Sequence, residues 1–311
     1  MSWRRKMESE IAPAISSEQR MGQAGAQTAS GGEGFHLNGL VHKLKSGELA
    51  LGAWVQVGDY VGARAIGDST ADFAILDMEH HGFSFPDLGL TLQWMLNRRT
   101  AAAVPAVATP IVRIPPNGAE LNQWVAKQTL DYGPFGILAP HVTHRAQIES
   151  AVSSMRYPSG PSDSGPAGVR GALPMHAMRY WGVTDISDYF DRADLWPLNP
   201  SGDLMLTVLV ESVTAWENID ELVSVPGLGA IIWGPGDGSM ALGIRNYDIG
   251  DPRLTPYREK VIAACKSAGV AVGSPAAVDP FAAIDEGFDF LMLPHWDEDL
   301  AARLRRHTES R

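Results

Sequence analysis

The chain has 311 residues, 45% of them hydrophobic, which suits one large α/β domain with extensions. Its 36 acidic and 25 basic residues give a net charge of -11, which argues against a nucleic-acid surface built from clustered Lys and Arg. No apolar run reaches the roughly 18 residues of a membrane helix, and a single cysteine excludes intrachain disulfides. We therefore expect a cytoplasmic protein that binds neither nucleic acid nor membranes.

Residues 1–34 are rich in Gly, Ser, Ala, Gln and Glu without hydrophobic periodicity, which predicts a flexible tail that carries no chemistry. From residue 35 onward, short apolar runs alternate with amphipathic stretches, as in chains of alternating strands and helices. The eight predicted strands are residues 49–57, 73–80, 110–114, 136–140, 207–212, 230–234, 270–277 and 288–296. This α/β alternation predicts a single (β/α)₈ TIM barrel domain over residues 35–311.

One connection, at about residues 158–203, is too long to be a simple link between a helix and a strand. Long structured excursions in compact domains are usually functional or interfacial. We predict an insertion there. Its acidic, aromatic-rich segment from Tyr180 to Trp196 is a candidate wall for the pocket of a second substrate.

Candidate site residues follow the predicted strands at their carboxyl ends, the face on which such barrels carry their active sites. They are Trp54, Asp77, Glu79, His80, Arg113, Pro140, Glu211, Asp237, Pro275 and His295. Glu211 and Asp237 end neighbouring strands, and such a pair of carboxylates could hold a hard divalent cation, which prefers oxygen ligands. Spacing alone leaves open that the two acids cap helix N-termini instead.

Arg113 lies inside an apolar strand, where a guanidinium needs either an anionic ligand or a neighbouring acid. Asp77 precedes His80 by three residues, close enough to fix the tautomer of its imidazole and make it a general base near neutral pH. The alternative is a hydrogen-bonded loop histidine, which is how we interpret His81. Four other histidines have no metal-ligand spacing and are interpreted as surface or packing residues: His141, His144, His176 and His295.

Seven short motifs come in a characteristic order: LGAW, LDMEH, VRI, LDYG, RYPSG with GVRG, VES and GPGD. In order and approximate spacing, the chain resembles the HpcH/HpaI family of metal-dependent class II pyruvate aldolases over roughly residues 40–305. The resemblance implies a barrel of the phosphoenolpyruvate/pyruvate-domain type. It also implies that Glu211 and Asp237 bind Mg²⁺, Mn²⁺ or Co²⁺, and that the ion chelates the carboxylate and keto oxygen of pyruvate.

The resemblance further implies a role for each candidate residue. Arg113 would stabilise the enolate oxygen, and His80 with Asp77 would move the proton. Backbone N–H groups of Gly236 and Asp237 would hold the pyruvate carboxylate, with Trp54 and Pro140 beside the substrate. Oligomers of the family are commonly trimers of dimers, and Asp131 matches a position that reaches a neighbouring subunit's site.

The chemistry of the residues agrees with a metal route, because no lysine lies at a predicted strand end to form a Schiff base. Two positions depart from the family pattern. The usual GPADLS reads GPGDGS in this chain, and Leu209 replaces a glutamine.

The sequence predicts an aldehyde-lyase that acts through a pyruvate enolate on 2-oxo-acid aldol substrates. One alternative is oxaloacetate decarboxylation or an enolate addition resembling that of macrophomate synthase. An alternative of another class is a non-catalytic barrel subunit.

Overall fold

Parallel strands dominate the computed structural model, which describes residues 36–97, 108–116, 120, 122–158, 165–275 and 279–310. The strands are β1 (Ala50–Gln56), β2 (Phe73–Asp77), β3 (Thr109–Arg113), β4 (Gly136–Ala139), β5 (Leu195–Trp196), β6 (Leu204–Val210), β7 (Ala230–Trp233), β8 (Ala271–Pro275) and β9 (Phe290–Leu293). Eight of them pair in the order β4-β3-β2-β1-β9-β8-β7-β6, and pairing of β4 with β6 closes the barrel. The two-residue β5 pairs only with the start of β6. The predicted (β/α)₈ barrel and its eight strands are confirmed.

Helices alternate with these strands. They are α1 (Gly39–Lys45), α2 (Tyr60–Gly67), α3 (Phe85–Met95), α4 (Gln123–Asp131), α5 (Arg145–Met155), α6 (Met175–Trp181), α7 (Ile186–Arg192), α8 (Val213–Glu217), α9 (Ile219–Leu222), α10 (Pro235–Ala241), α11 (Thr255–Ala268), α12 (Pro280–Glu286) and α13 (Glu298–Glu309). A short 3₁₀ helix, Pro252–Leu254, precedes α11. None of the helices in these ranges is long and apolar enough to cross a membrane.

Two connections differ in detail from the sequence prediction. The single helix expected after β6 is divided into α8 and α9 at Asn218, whose side-chain amide donates to the carbonyl of Thr143 at 3.0 Å. The predicted insertion contains α6, α7 and β5 within residues 165–203, while residues 159–164 lie outside the described part of the chain. The tail predicted for residues 1–34 also lies outside it.

Alternate residues of each barrel strand face opposite sides, and this alternation sets which side chains reach the mouth. Phe73 and Ile75 belong to the cluster that fills the barrel interior, so Asp77 shares their face. Arg113 lies two residues after the interior residue Ile111, and Glu211 lies two residues after the interior residue Leu209, so both share the interior face. The intervening strand residues pack instead against the surrounding helices. The barrel thereby gathers its polar strand-end side chains above one apolar interior.

Candidate active site

A bidentate ion pair between Asp77 and Arg113 lies at the carboxyl ends of β2 and β3. Nε and Nη2 of Arg113 donate to Oδ1 and Oδ2 of Asp77 at 2.8 and 2.7 Å. Cζ of Arg113 lies 4.5 Å from the ring centroid of Trp54 on β1, a cation–π contact. Residues of three neighbouring strands thus hold the guanidinium in one orientation. The sequence left open whether Arg113 meets an anionic ligand or a neighbouring acid, and the structure has the neighbouring acid, Asp77.

The carboxyl group of Asp77 is 3% exposed, and burial by itself would raise its pKa. The two hydrogen bonds and the charge of Arg113 outweigh that effect and lower the pKa to about 2. Asp77 therefore stays ionised across the neutral range and keeps Arg113 in place.

The loop after β2 brings a different histidine to Asp77 than the sequence predicts. Oδ1 of Asp77 accepts the backbone N–H of Glu79 at 2.9 Å, and this turn brings the ring of His81 over the same carboxylate. Nδ1 of His81 lies 2.7 Å from Oδ2 of Asp77. His80 projects outward, with 58% of its side chain exposed and Nε2 3.5 Å from Oε2 of Glu79. The predicted pairing of Asp77 with His80 is therefore wrong, and His81 takes that position.

The second cluster at the mouth consists of His141, Glu211 and Asp237. Each offers one ligand atom, and these atoms lie within 4.8 Å of one another. Glu211 follows β6 directly, Asp237 lies in the first turn of α10, and His141 comes two residues after the end of β4. Oε1 of Glu211 accepts the backbone N–H of His141 at 2.7 Å. The sequence predicted the two acids but not the histidine, whose position directly after the strand-end residue Pro140 was the available signal.

Burial, opposed by the hydrogen bond from His141 and assisted by the nearby charges of Asp237 and Glu79, raises the pKa of Glu211 to about 8. A buried carboxylate beside a second one is electrostatically unfavourable without a cation. Two carboxylates with an imidazole are also a donor set that divalent ions accept. The residues present therefore fit a divalent metal ion.

Two of the three glycines of the GPGDGS motif, Gly236 and Gly238, accommodate aromatic side chains. A Cβ on Gly238 would lie 2.0 Å from Cη2 of Trp216, which is fully buried. A Cβ on Gly236 would lie 2.3 Å from the hydroxyl of Tyr247, a residue that is 62% exposed. The departure at Gly238 therefore has a steric reason, whereas the exposed Tyr247 beside Gly236 is free to move. Backbone N–H groups in this first turn of α10 have no acceptor within the helix, as at any helix N-terminus.

A cavity of about 570 Å³ opens beside Arg113, between β1, β2 and the loop after β9. Its lining includes Trp54, Asp77, His81, Arg113, His295 and Trp296. The segment Tyr180–Trp196 does not contribute to this lining, and its expected role in shaping an acceptor pocket stays a prediction. Its aromatic rings are used in packing instead, because Trp181 stacks on Phe135 with centroids 4.6 Å apart and Tyr189 is fully buried.

Asp131, predicted to act between subunits, is the last residue of α4 and is not a member of the metal-ligand cluster. Its Oδ1 accepts from Nη2 of Arg170 at 3.0 Å, and its side chain is 37% exposed. Its intersubunit role stays a prediction, as does the trimer of dimers.

Comparison with known proteins identifies the class as a carbon–carbon lyase of the aldolase type, as the sequence predicted. The chain belongs to the HpcH/HpaI aldolase/citrate lyase family, whose pattern it matches over residues 51–283. The resemblance drawn from its short motifs is thereby confirmed.

Two curated relatives and one solved structure are similar over most of their lengths. The chain is 30% identical to 2-dehydro-3,6-dideoxy-6-sulfogluconate aldolase of Pseudomonas putida, over 86% of this chain and 92% of that protein. It is 32% identical to 2-keto-3-deoxy-L-rhamnonate aldolase of Klebsiella pneumoniae, over 76% and 78% of the two chains. A family protein from Burkholderia cenocepacia superposes with a TM-score of 0.67 at 26% identity, covering 88% of this chain and 97% of that one.

Proposed function

We propose that this enzyme is a divalent-metal-dependent class II aldolase that makes or breaks a carbon–carbon bond through the enolate of pyruvate. The observation that carries the proposal is the presence of two clusters at one barrel mouth. One is a carboxylate pair able to hold a divalent ion, Glu211 with Asp237, and the other is the oriented guanidinium of Arg113. The curated relatives are aldolases of 2-oxo sugar acids, which supports the same class of substrate for this chain.

Glu211 and Asp237 would hold Mg²⁺, Mn²⁺ or Co²⁺. When bound there, such an ion supplies a Lewis acid that polarises the keto group of the substrate. The high pKa of Glu211 favours this role, because a doubly charged cation relieves the repulsion between the buried carboxylate of Glu211 and the exposed carboxylate of Asp237 beside it.

Arg113 would stabilise the negative charge that develops on the enolate oxygen. Three of its N–H groups are directed at carboxylates, with Nη1 3.2 Å from Oε2 of Glu79 in addition to the two bonds to Asp77. Each Nη atom carries a second N–H that remains to meet the substrate. Because Asp77, Glu79 and Trp54 already fix the guanidinium, little reorganisation is needed when the charge forms.

The proton would be moved by a histidine of the loop after β2. Asp77 holds Nδ1 of His81 at 2.7 Å, which leaves Nε2 to take or give a proton, and this geometry favours His81 over the family-implied His80. Backbone N–H groups of Gly236 and Asp237 would bind the pyruvate carboxylate at the start of α10. The cavity beside Arg113 would receive the acceptor aldehyde.

Exchange of the methyl protons of pyruvate in D₂O tests the enolate step without a known acceptor. We expect NMR to detect exchange by the enzyme with Mg²⁺, Mn²⁺ or Co²⁺ added. A chelator should abolish it, and Asp237→Ala should lower its rate at least 100-fold, in line with removal of a metal ligand. Absence of exchange by the folded wild-type enzyme with all three ions would reject the proposal.

A further inference from the structure

His141 adopts a backbone conformation that is uncommon for a residue with a side chain. Its φ is 56°, in the left-handed region, and its N–H is bound by Oε1 of Glu211 at 2.7 Å. Backbone strain of this kind persists only where neighbouring groups hold it, and it concentrates at functional sites. The carboxylate that fixes the His141 backbone is itself a proposed metal ligand.

The two nitrogens of the His141 ring face two different carboxylates. Nδ1 lies 3.5 Å from Oε1 of Glu211, and Nε2 lies 3.5 Å from Oε1 of Glu79. That oxygen of Glu79 is buried and accepts no hydrogen bond from the described residues, although a buried carboxylate oxygen normally has a donor. Oε2 of Glu79 is 3.2 Å from Nη1 of Arg113, so the carboxylate is anchored on its other side.

This arrangement matches the way proteins support a metal-bound histidine. A ligating imidazole binds the ion through one nitrogen and donates its other N–H to a carboxylate, which fixes both tautomer and ring orientation. In this chain, Nδ1 is on the side of Glu211, a member with Asp237 of the ligand cluster, whereas Nε2 is on the side of the unsatisfied oxygen of Glu79.

We propose that His141 is a third protein ligand of the divalent ion, binding through Nδ1, and that Glu79 orients its ring by accepting from Nε2–H. The inference rests on the proposed metal site at Glu211 and Asp237 and extends it. It predicts a preference among ions, because imidazole is a good ligand for Co²⁺ and a poor one for Mg²⁺, which favours oxygen. His141 should therefore contribute to Co²⁺ affinity far more than to Mg²⁺ affinity.

Metal binding to the chelator-treated full chain tests this inference without a turnover assay. Titration calorimetry would measure Co²⁺ and Mg²⁺ affinities of wild type, His141→Gly and Glu79→Gln. Glycine is chosen because it adopts the left-handed conformation without strain. We expect His141→Gly to lower Co²⁺ affinity at least tenfold and Mg²⁺ affinity less than threefold, and Glu79→Gln to lower Co²⁺ affinity about tenfold. His176→Ala, an exposed histidine on α6, is the matched control and should change neither.

Pulsed EPR of the Mn²⁺-loaded protein gives an independent readout of the ligand atom. Wild type should have ¹⁴N modulation from a coordinated imidazole, and His141→Gly should lose it. His141→Asn should lose it as well and preserves a side chain that tolerates the left-handed backbone. Circular dichroism of the metal-free variants establishes that each is folded.

The outcomes separate this inference from the proposed function. If wild type binds Mn²⁺ and exchanges pyruvate protons but has no ¹⁴N modulation, and the ratio of Co²⁺ to Mg²⁺ affinity is unchanged in His141→Gly, then His141 is not a ligand and the proposed function stands. If folded wild type binds no divalent ion, both are overturned.

Discussion

At the residue scale, Arg113 is fixed by three neighbours, and lysine cannot reproduce that arrangement. A lysine ammonium is a point charge without the planar fork that meets both oxygens of Asp77. We expect Arg113→Lys to lower the rate of pyruvate proton exchange by roughly 10²–10³-fold, the usual effect of removing one donor from a developing oxyanion. Arg253→Lys is a suitable control, because this exposed arginine makes a similar two-bond pair with Asp251 and belongs to neither cluster of the site. Equal rates in wild type and Arg113→Lys would exclude Arg113 from enolate stabilisation.

Asp77 should make stability depend on pH in the acidic range. Its pKa in the folded chain is about 2, below the ordinary 3.8, so its stabilising effect is complete above pH 3.8 and is lost as the pH falls through 2. The lowering corresponds to about 2 kcal/mol. In urea unfolding followed by circular dichroism, wild type should lose about that much more free energy of unfolding than Asp77→Asn between pH 5 and pH 2. Parallel pH profiles for the two proteins would contradict the assignment.

The histidines of this site mark the limit of what the sequence predicts at this scale. The prediction that polar residues at the carboxyl ends of the strands meet at one mouth was correct for Asp77, Arg113, Glu211 and Asp237. It succeeded because the period and the number of the strands can be read from the apolar runs. Which histidine meets Asp77 depends on a turn in which the backbone N–H groups of Glu79 and His80 donate to Oδ1 of Asp77. The position of the His141 ring depends on a positive φ, which its place directly after the strand-end residue Pro140 does not by itself predict.

At the element scale, α10 is short and packs closely over Trp216. The ring of Trp216 is buried between those of Trp233 and Tyr257, with centroids 4.7 and 5.0 Å away, and its Nε1 donates to the carbonyl of Val210 at 3.0 Å. A ring held on three sides cannot give way to a new methyl group.

Substitution of the two glycines of α10 should therefore have unequal effects on stability. We expect Gly238→Ala to lower the free energy of unfolding by about 2 kcal/mol, since its Cβ would overlap the fixed ring of Trp216. Gly236→Ala should change it by less than about 0.5 kcal/mol, because the exposed Tyr247 can move and alanine favours the helix. Chemical denaturation of both variants measures the difference. A Gly238→Ala protein as stable as wild type would mean that α10 or Trp216 shifts freely.

Strands were predicted more successfully than helices for a physical reason. Barrel strands such as β6 and β7 are buried along their whole length, so their sequences are continuous apolar runs. The division of one predicted helix into α8 and α9 falls at Asn218, whose amide bonds the distant carbonyl of Thr143, a tertiary contact that helical periodicity does not contain.

At the scale of the whole molecule, the metal-ligand cluster joins separate parts of the barrel. His141 follows β4, Glu211 follows β6 and Asp237 follows β7, and the pairing of β4 with β6 is the one that closes the sheet. The ligand atoms meet only when that closure is complete. A bound ion should therefore stabilise the folded barrel and not the unfolded chain.

Thermal unfolding should report this coupling. A free Mn²⁺ concentration of about 100 times the dissociation constant should add about 2.7 kcal/mol, which corresponds to a rise in Tm of roughly 5 °C for a domain of this size. Asp237→Asn should have a much smaller rise, and an excess of chelator should return wild type to its metal-free Tm. Scanning calorimetry measures all three. An equal rise in Asp237→Asn would place the stabilising ion elsewhere.

The close contact between Gly238 and Trp216 also constrains the order in which substitutions at these two positions can have occurred, starting from a relative with a GPADLS motif. With tryptophan at 216, a leucine at 238 would collide with a fixed ring, whereas glycine at 238 tolerates either a large or a small neighbour. An ancestor with leucine would have to lose that side chain before it acquired the tryptophan. Positions 216 and 238 should accordingly vary together across the family, with glycine or a small residue wherever the tryptophan occurs.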